Sequence, residues 1–518
     1  MPSKARTLLA ASLASLFLAA SALAAPLAQE ILAASGVKGG LVVHLGCGTG
    51  ELTVALRAND RYLVQGLARD EATVAKARAT VRAAGLYGPV SVTLLDGERL
   101  PYTGDMVSLV VVSGKALVSN DEILRVLAPR GVAVFTSADG SRLTGEKLEK
   151  PVPAEIDEWT HSRYNATGNA VSKDKRVGPP RFLQWEAWPR WNHGTKTSCL
   201  VTTKGRIFYI LDDAHFAGNA RTWSLIARDA HNGVRLWRHK LPSWRGAGGG
   251  KKVGPAQVHR RLVAIDETVY ATLGDSVPVS VLDAATGDVI RVLEPTAKAE
   301  EFIVSNGVLV AYLNLSTPED IRRGRKQGQG VRLVAVDPAT GKLLWEHAAD
   351  TILPLSMAAD ARQVVYHDGE VIKSLDLKTG TPRWTSPPTG QSIEHVKKAN
   401  SDRPGAKKNT IMLAPQFAPT MIVYGDVVAF AGGMQLNVVS ADDGRELWRA
   451  DYAATNYSVP VEIFGFDGCL WGPDAGMYVW SPKDDNIDYN AYDPMTGTVR
   501  RRSKATMASA SSITAAIR

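Results

Sequence analysis

A chain of 518 residues with 45% apolar and 22% charged side chains has the material for two or three ordinary globular domains, which excludes a disordered or fibrous protein. Its formal charge of +8 is a small excess of 60 basic over 52 acidic residues. The basic clusters are short, as in Arg322-Arg323-Gly324-Arg325-Lys326, and read as solvated loops, so nucleic acid is not an expected partner.

The N-terminus carries Lys4 and Arg6, then the apolar run LLAASLASLFLAASALAA ending in the small-residue signal Ala22-Leu23-Ala24. This is the pattern of a signal peptide over residues 1–25, with the mature chain beginning at Ala25 or one residue later. A membrane anchor is the alternative, but the run is rich in Ala and Ser and no charged flank follows it. The expectation is export to the periplasm or cell envelope, with no membrane span after cleavage.

Leu41 to Gly50 reads LVVHLGCGTG, an apolar strand entering a turn with glycines at strict alternation. Such a turn lets backbone N–H groups approach a nucleotide-like ligand closely, because glycine has no Cβ and tolerates positive φ. A second strand over Tyr62–Leu67, a helix after Asp70, Ser91–Asp96, LPYTGDMVSLVVVS and EILRVLAPRGVAVF follow in α/β alternation. Asp70 is placed to N-cap its helix, and Cys47 reads as a packed thiol.

This segment resembles motif I and the core of class I S-adenosylmethionine (SAM) methyltransferases of the type 11 kind. The resemblance implies a Rossmann-like domain over residues 26–140 that stops after its fifth strand. It also implies SAM as cofactor, with Gly46, Cys47, Gly48, Thr49 and Gly50 forming the cofactor turn and Asp96 beside the adenine. Two acids of the pattern are replaced: His44 stands two positions before the first glycine, and Ala68 stands where an acid accepts the ribose hydroxyls. No catalytic residue is identifiable, although methyl transfer can proceed by positioning alone.

Beyond residue 150 a repeat takes over: an apolar strand, Asp-x-x-x-Gly, then a strand with Trp four residues after the glycine. It runs through Asp229/Gly233/Trp237, Asp283/Gly287, Asp337/Gly341/Trp345, Asp376/Gly380/Trp384, Gly444/Trp448 and Asp493/Gly497, with Arg501 in place of the last Trp. Six copies spaced near fifty residues predict an all-β propeller over residues 181–502, with each Trp buried between neighbouring blades and the copies around Gly287 and Gly497 packed more loosely. The pattern resembles the pyrroloquinoline quinone (PQQ) repeat of quinoprotein dehydrogenases and of the outer-membrane assembly lipoprotein that has no quinone. The chain lacks the adjacent Cys-Cys pair of the dehydrogenases, so PQQ is not an expected cofactor. A small molecule or an envelope protein is the expected partner of the propeller.

Between the two domains, residues 141–180 form a linker that opens a Trp-rich stretch, EIDEWTHSRYNATGNAVSKDKRVGPPRFLQWEAWPRW, with Trp159, Trp185, Trp188, Trp191, His161, Tyr164 and Asn165. It resembles the lead-in to the propeller in large exported planctomycete-type proteins. A clamp on the first and last blades is expected ahead of a ligand mouth, and no metal site is expected from Asp157, His161 and His193. Cys199 and Cys469 are compatible with a disulfide without implying one. Residues 503–518 read as an irregular tail that leaves ring closure unexplained. Three functions follow: an exported methyltransferase-type protein, a non-catalytic envelope binding or assembly protein, and, less favoured, a quinoprotein dehydrogenase.

Overall fold

The computed structural model describes residues 24–178, 183–187, 197–212, 223–241, 260–274, 276–315, 331–390, 419–432, 435–451, 463–473 and 486–506. The signal-peptide expectation therefore falls almost wholly outside the described residues. None of the described helices is long and apolar enough to cross a membrane.

The first domain is a six-stranded sheet with helices. It comprises α1 (24–35), β1 (Gly40–Leu45), α2 (Glu51–Ala55), β2 (Tyr62–Ala68), α3 (Glu71–Ala83), β3 (Val90–Leu94), β4 (Val107–Val112), α4 (Asn120–Val126), β5 (Leu127–Thr136) and β6 (Leu143–Glu149). The order is β3-β2-β1-β4-β5-β6, with the first five strands parallel and β6 antiparallel to β5. GLVVHL and VSLVVV are buried at every position, as strands covered on both faces must be. Leu27, Ala28 and Ile31 of α1 pack with Val42, Val64 and Val111 on one face, and Ile123 and Val126 of α4 pack with Val43 and Val110 on the other. Asp70 caps α3 as expected, accepting from the Thr73 N–H at 2.8 Å. One expectation is corrected: the sheet does not stop after five strands, because β6, within the expected linker, adds a sixth. The polar LTGEKLE run hid it, since an edge strand exposed on one side carries no apolar signature.

The second domain consists of six four-stranded antiparallel sheets, each a meander in chain order. They are β7–β10 (Thr197–Thr203, Arg206–Asp212, Trp223–Asp229, Arg235–Leu241), β11–β14 (Leu262–Ile265, Thr268–Thr272, Val279–Asp283, Val289–Leu293) and β15–β18 (Ala299–Ser305, Val308–Asn314, Val331–Val336, Leu343–Ala349). Then come β19–β22 (Ala358–Ala359, Gln363–His367, Ile372–Asp376, Pro382–Thr385), β23–β26 (Thr420–Tyr424, Val427–Gly432, Gln435–Ser440, Glu446–Asp451) and β27–β30 (Phe464–Phe466, Cys469–Pro473, Asn486–Tyr492, Val499–Thr506). The first strands β7, β11, β15, β19, β23 and β27 are successive neighbours, the arrangement of propeller blades around an axis. Among the described residues β27 makes no comparable return to β7, and the ring is not closed. The last blade runs further than expected: β30 reaches Thr506, four residues into the predicted tail. Residues 507–518 lie outside the described residues.

The repeat has one mechanical role. In every copy the turn glycine donates its N–H to the carbonyl four residues earlier, at 2.7 to 3.0 Å from Asp229, Asp283, Asp337, Asp376, Ser440 and Asp493. The Trp of one blade then lies on the turn of the next. The indole N–H donates to Ala284 O from Trp237, Leu377 O from Trp345, Ala441 O from Trp384 and Pro494 O from Trp448, at 2.8 to 3.0 Å. A Cβ on Gly380 would sit 2.6 Å from the Trp345 ring, so the glycine is needed for this approach as well as for its φ of 71°. All four indoles are buried. In the second blade Arg291 takes the Trp place, its stem beside Gly341 and its guanidinium on Thr340 O. Cys199 and Cys469 are both buried and are not joined to each other by a disulfide.

The Trp-rich stretch clamps more than the first and last blades, because it threads the hub. Trp159 O accepts from Thr202 N, Thr160 O from Ala264 N, Ala166 O from Ala359 N and Thr167 O from Val423 N. His161 Nε2 accepts from Val304 N, and the Asn169 amide bonds Gly465 through both ends. One short segment thus touches the inner strand of all six blades in order. Trp185 sits on Gly233 of the first blade and donates to Ala230 O at 2.9 Å, as the other indoles do at their turns. Trp188, Trp191 and His193 lie outside the described residues.

Candidate functional site

The strand order reverses between β1 and β4, and ligands of open α/β sheets bind beyond the carboxyl ends of the strands at such a point. The glycine turn lies there. Gly46, Gly48 and Gly50 all take positive φ, at 76°, 52° and 95°. A Cβ on Gly46 would meet Ser113 O at 2.5 Å and one on Gly50 would meet the α3 backbone at Ala77 at 3.0 Å, whereas the space beside Gly48 is open. Two glycines therefore bring elements together and the third leaves room.

The intervening residues point elsewhere. Cys47 is buried against Gly66, and burial pushes its thiol up to about 11, which makes it a packed, unreactive group. Thr49 bonds Glu51 through its hydroxyl and accepts from Thr80 through its carbonyl. Asp96 is exposed on the loop after β3.

His44 is buried, with Nδ1 2.8 Å from Thr53 Oγ1 and Nε2 2.8 Å from Ser113 Oγ. Burial lowers its pKa to about 4, so the ring is neutral at physiological pH. Ala68, the last residue of β2, is buried and offers no acceptor beyond its backbone. Its neighbour Arg69 was not singled out by the sequence reading. The Arg69 guanidinium spans the ends of three strands, donating to Gly97 O, to Leu95 O at 3.4 Å and to Leu117 O at 2.6 Å. It thus grips both neighbours of Asp96. Ser113 and Thr53 were missed as well: each is an ordinary hydroxyl in sequence, and only the fold brings them to His44.

The opposite, N-terminal edge of the sheet is taken up by the propeller. Ser108 Oγ donates to Asp229 Oδ2 at 2.8 Å, and Asn232 Nδ2 donates to Met106 O at 3.0 Å and to Ser108 Oγ at 2.9 Å. The first-blade turn therefore docks under the sheet and leaves the crevice facing away. A second cavity, of about 1110 Å³, lies where the hub segment meets the last two blades, walled by Trp159, Tyr164, Asn169, Tyr424, Phe464 and Trp471. Both ring nitrogens of His161 are engaged: Nε2 accepts from Val304 N and Nδ1 lies 2.8 Å from Thr160 Oγ1.

Comparison with known proteins agrees with both domains. A family model described as a methyltransferase domain matches residues 42–131, and one described as outer membrane protein assembly factor BamB matches residues 327–467. Among solved structures, the chain is similar to a putative S-adenosyl-L-methionine-dependent methyltransferase of Methanococcus maripaludis, at 21% identity over 25% of this chain and 63% of that one, TM-score 0.23. It is also similar to the [4+2]-cyclase SpnF, at 24% identity over 22% and 44%, and to geranyl diphosphate methyltransferase in complex with SAM, at 20% over 21% and 46%, both with TM-score 0.20. The chain thus spans less than two thirds of the length of these neighbours. No curated protein matches it. A methyltransferase-type domain and a BamB-like propeller domain are present.

Proposed function

We propose that the protein works in the cell envelope, with the propeller as a binding or assembly platform and the methyltransferase-type domain retired from SAM chemistry. Arg69 carries this reading. Its guanidinium crosses the space between the loops that follow β2, β3 and β4, where the resemblance puts the nucleoside. The acids for the ribose and for the methionine end are replaced by Ala68 and by a neutral, doubly hydrogen-bonded His44. The nucleoside place is crossed by Arg69 and two anionic partners are lost, so these residues fit SAM poorly. The BamB-like match and the aromatic cavity beside the hub support the platform role for a small molecule or an envelope protein.

Calorimetric titration of SAM into the full chain tests this: no saturable heat is expected, and micromolar binding would overturn the reading. Methyl transfer is the second reading, favoured by the intact glycine turn and the open space at Gly48. A quinoprotein role finds little support where the chain's own linker already holds the inner strands of the hub. Export is tested separately by N-terminal sequencing, with Ala25 or Pro26 expected first and an intact Met1 in a soluble cytoplasmic fraction counting against it.

A further inference from the structure

We propose that the crevice carries a serine nucleophile, Ser113, activated by His44 and oriented through Thr53, and that it hydrolyses small carboxylic esters. Three side chains from separate parts of the sheet and its helix meet in one hydrogen-bonded chain. Ser113 follows β4, His44 lies in β1 and Thr53 in α2, with 2.8 Å between Ser113 Oγ and His44 Nε2 and 2.8 Å between His44 Nδ1 and Thr53 Oγ1. This is nucleophile, base and orienting group in the order that serine catalysis requires, with a hydroxyl in the third place instead of a carboxylate. The tautomer protonated on Nδ1 donates to Thr53 and leaves Nε2 to accept the Ser113 proton.

The surroundings fit the chemistry. Ser113 sits on a turn at the carboxyl end of a buried strand, followed by Gly114 at φ 72°; the N–H of the residue after a nucleophile is a recurrent oxyanion donor in strand–turn sites. A Cβ on Gly46 would strike Ser113 O, and one on Gly140 would reach its Cβ at 4.0 Å, so glycines line two sides of the serine. Ser113 is only half-buried, while His44 and Thr53 are enclosed. Because Arg69 takes up the far side of the crevice, the substrate is a short acyl ester and not a nucleoside-sized one.

The step balances. Ser113 Oγ attacks the ester carbonyl carbon as its proton passes to Nε2, the C–O bond to the alcohol breaks, and the alcohol leaves with that proton. Water then attacks the acyl-serine, gives its proton to Nε2, and the acid departs as Ser113 recovers its hydrogen. With a weakly basic imidazole and no carboxylate behind it, turnover is slow.

The full chain is treated with a fluorophosphonate probe, mapped by mass spectrometry, and assayed with p-nitrophenyl acetate. Covalent label on Ser113 is expected, lost in Ser113→Ala together with the hydrolysis above background. His44→Gln should slow labelling about 100-fold or more, the usual contribution of a general base. Since His44 is buried, thermal melting monitors folding, and a gentler pair guards the test: Thr53→Ser should keep most of the rate and Thr53→Val should lose about tenfold. Folded wild-type protein that leaves Ser113 unlabelled, or equal labelling in folded Thr53→Val and His44→Gln, would overturn the proposal. No SAM enters the assay, so its outcome is separate from that of the SAM titration.

Discussion

The propeller and the crevice use the same kinds of residue to opposite ends. At the blade interfaces five of the six turn glycines receive an indole and Gly341 receives the stem of Arg291, each of those indole N–H groups finds a carbonyl, and the unit is copied around the axis. In the crevice the glycines hold a turn beside open space at Gly48, and the polar groups around it, His44, Ser113 and Arg69, are not those of the pattern that the turn resembles. Packing constraints keep a repeat intact because every deviation opens a void at an interface. A binding turn is free of that constraint, so its backbone can persist after its ligand chemistry has changed.

The largest expected effect is on acid stability, and it separates the two regions. His161 and His367 in the propeller and His44 in the crevice are buried and neutral. Burial pushes them down to about 3, about 4 and about 4, with Arg260 adding to the shift at His161. The first two each use one ring nitrogen as acceptor, from Val304 N and Gly369 N, which only a neutral ring can do. The folded pKa values lie below the unfolded value near 6.5. The stabilisation is therefore complete above that value and is lost as pH falls from 6.5 toward 4 and 3, at roughly 1.4 kcal/mol per pH unit for each group. In the propeller the buried Glu301, pushed up to about 7, works the other way: it gains stability as pH falls from 7 toward 4.5 and offsets about one of these histidines. With Glu301→Gln the propeller should therefore lose more than the first domain, measured by denaturant unfolding between pH 7 and 4 with domain-resolved hydrogen exchange. Equal losses would break the comparison.

Next in size are the indoles. Trp345→Ala and Trp384→Ala should each cost about 3 to 5 kcal/mol, read as a shift in the unfolding midpoint, because each removes a buried ring and its hydrogen bond. Arg291→Ala, at the equivalent place in the second blade, should cost under half as much, since its guanidinium sits on an exposed turn. A similar loss at all three positions would show that ring burial is not what holds the blades.

A smaller gain tests the crevice. Replacing Arg69 with Ala and Ala68 with Asp together removes the cation and restores a ribose acceptor, and should bring SAM affinity into measurable range by about 1.5 to 3 kcal/mol relative to Arg69→Ala alone. Calorimetry decides it; no gain would mean that the end of β2 does not face the ribose.

These contrasts explain what was legible in the chain. The propeller repeat was readable to the role of individual tryptophans because turn chemistry and indole burial are local and recurrent. Trp185 was named only as part of the Trp-rich clamp, because no Asp-x-x-x-Gly precedes it, although LQWE echoes the LLWE of Leu343–Glu346. The glycine turn was equally plain. Arg69, Ser113 and Thr53 were not, because long-range pairings such as Arg69 with Leu117 and Ser113 with His44 leave no spacing rule in sequence. The hub segment was seen as a clamp, but its six-blade reach follows from backbone hydrogen bonds that no side-chain pattern encodes.

The smallest effect concerns the joint between the two regions. Ser108 Oγ donates to Asp229 and accepts from Asn232, and the Asn232 amide also reaches Met106 O, so the first-blade turn is held under the sheet by a compact, partly buried polar contact. Ser108→Ala removes one donor from Asp229 and one acceptor from Asn232, yet leaves the Asn232–Met106 bond and the apolar approach of Leu236 to Gly39 in place. The cost should be about 1 to 2 kcal/mol, since two hydrogen bonds are lost and each is worth roughly 0.5 to 1 kcal/mol net where water can replace it. Its signature should be specific: the wild type is expected to unfold in one calorimetric transition and the variant to separate toward two, with the blade interfaces unchanged. Asn232→Ala loses the bonds to Met106 O and Ser108 Oγ across the joint and the one it accepts from Val234 N within the turn, and should separate them further. If both variants melt as one unit with the same midpoint as the wild type, the two domains are coupled through the hub segment and not through this joint, and the first domain is anchored by its linker alone.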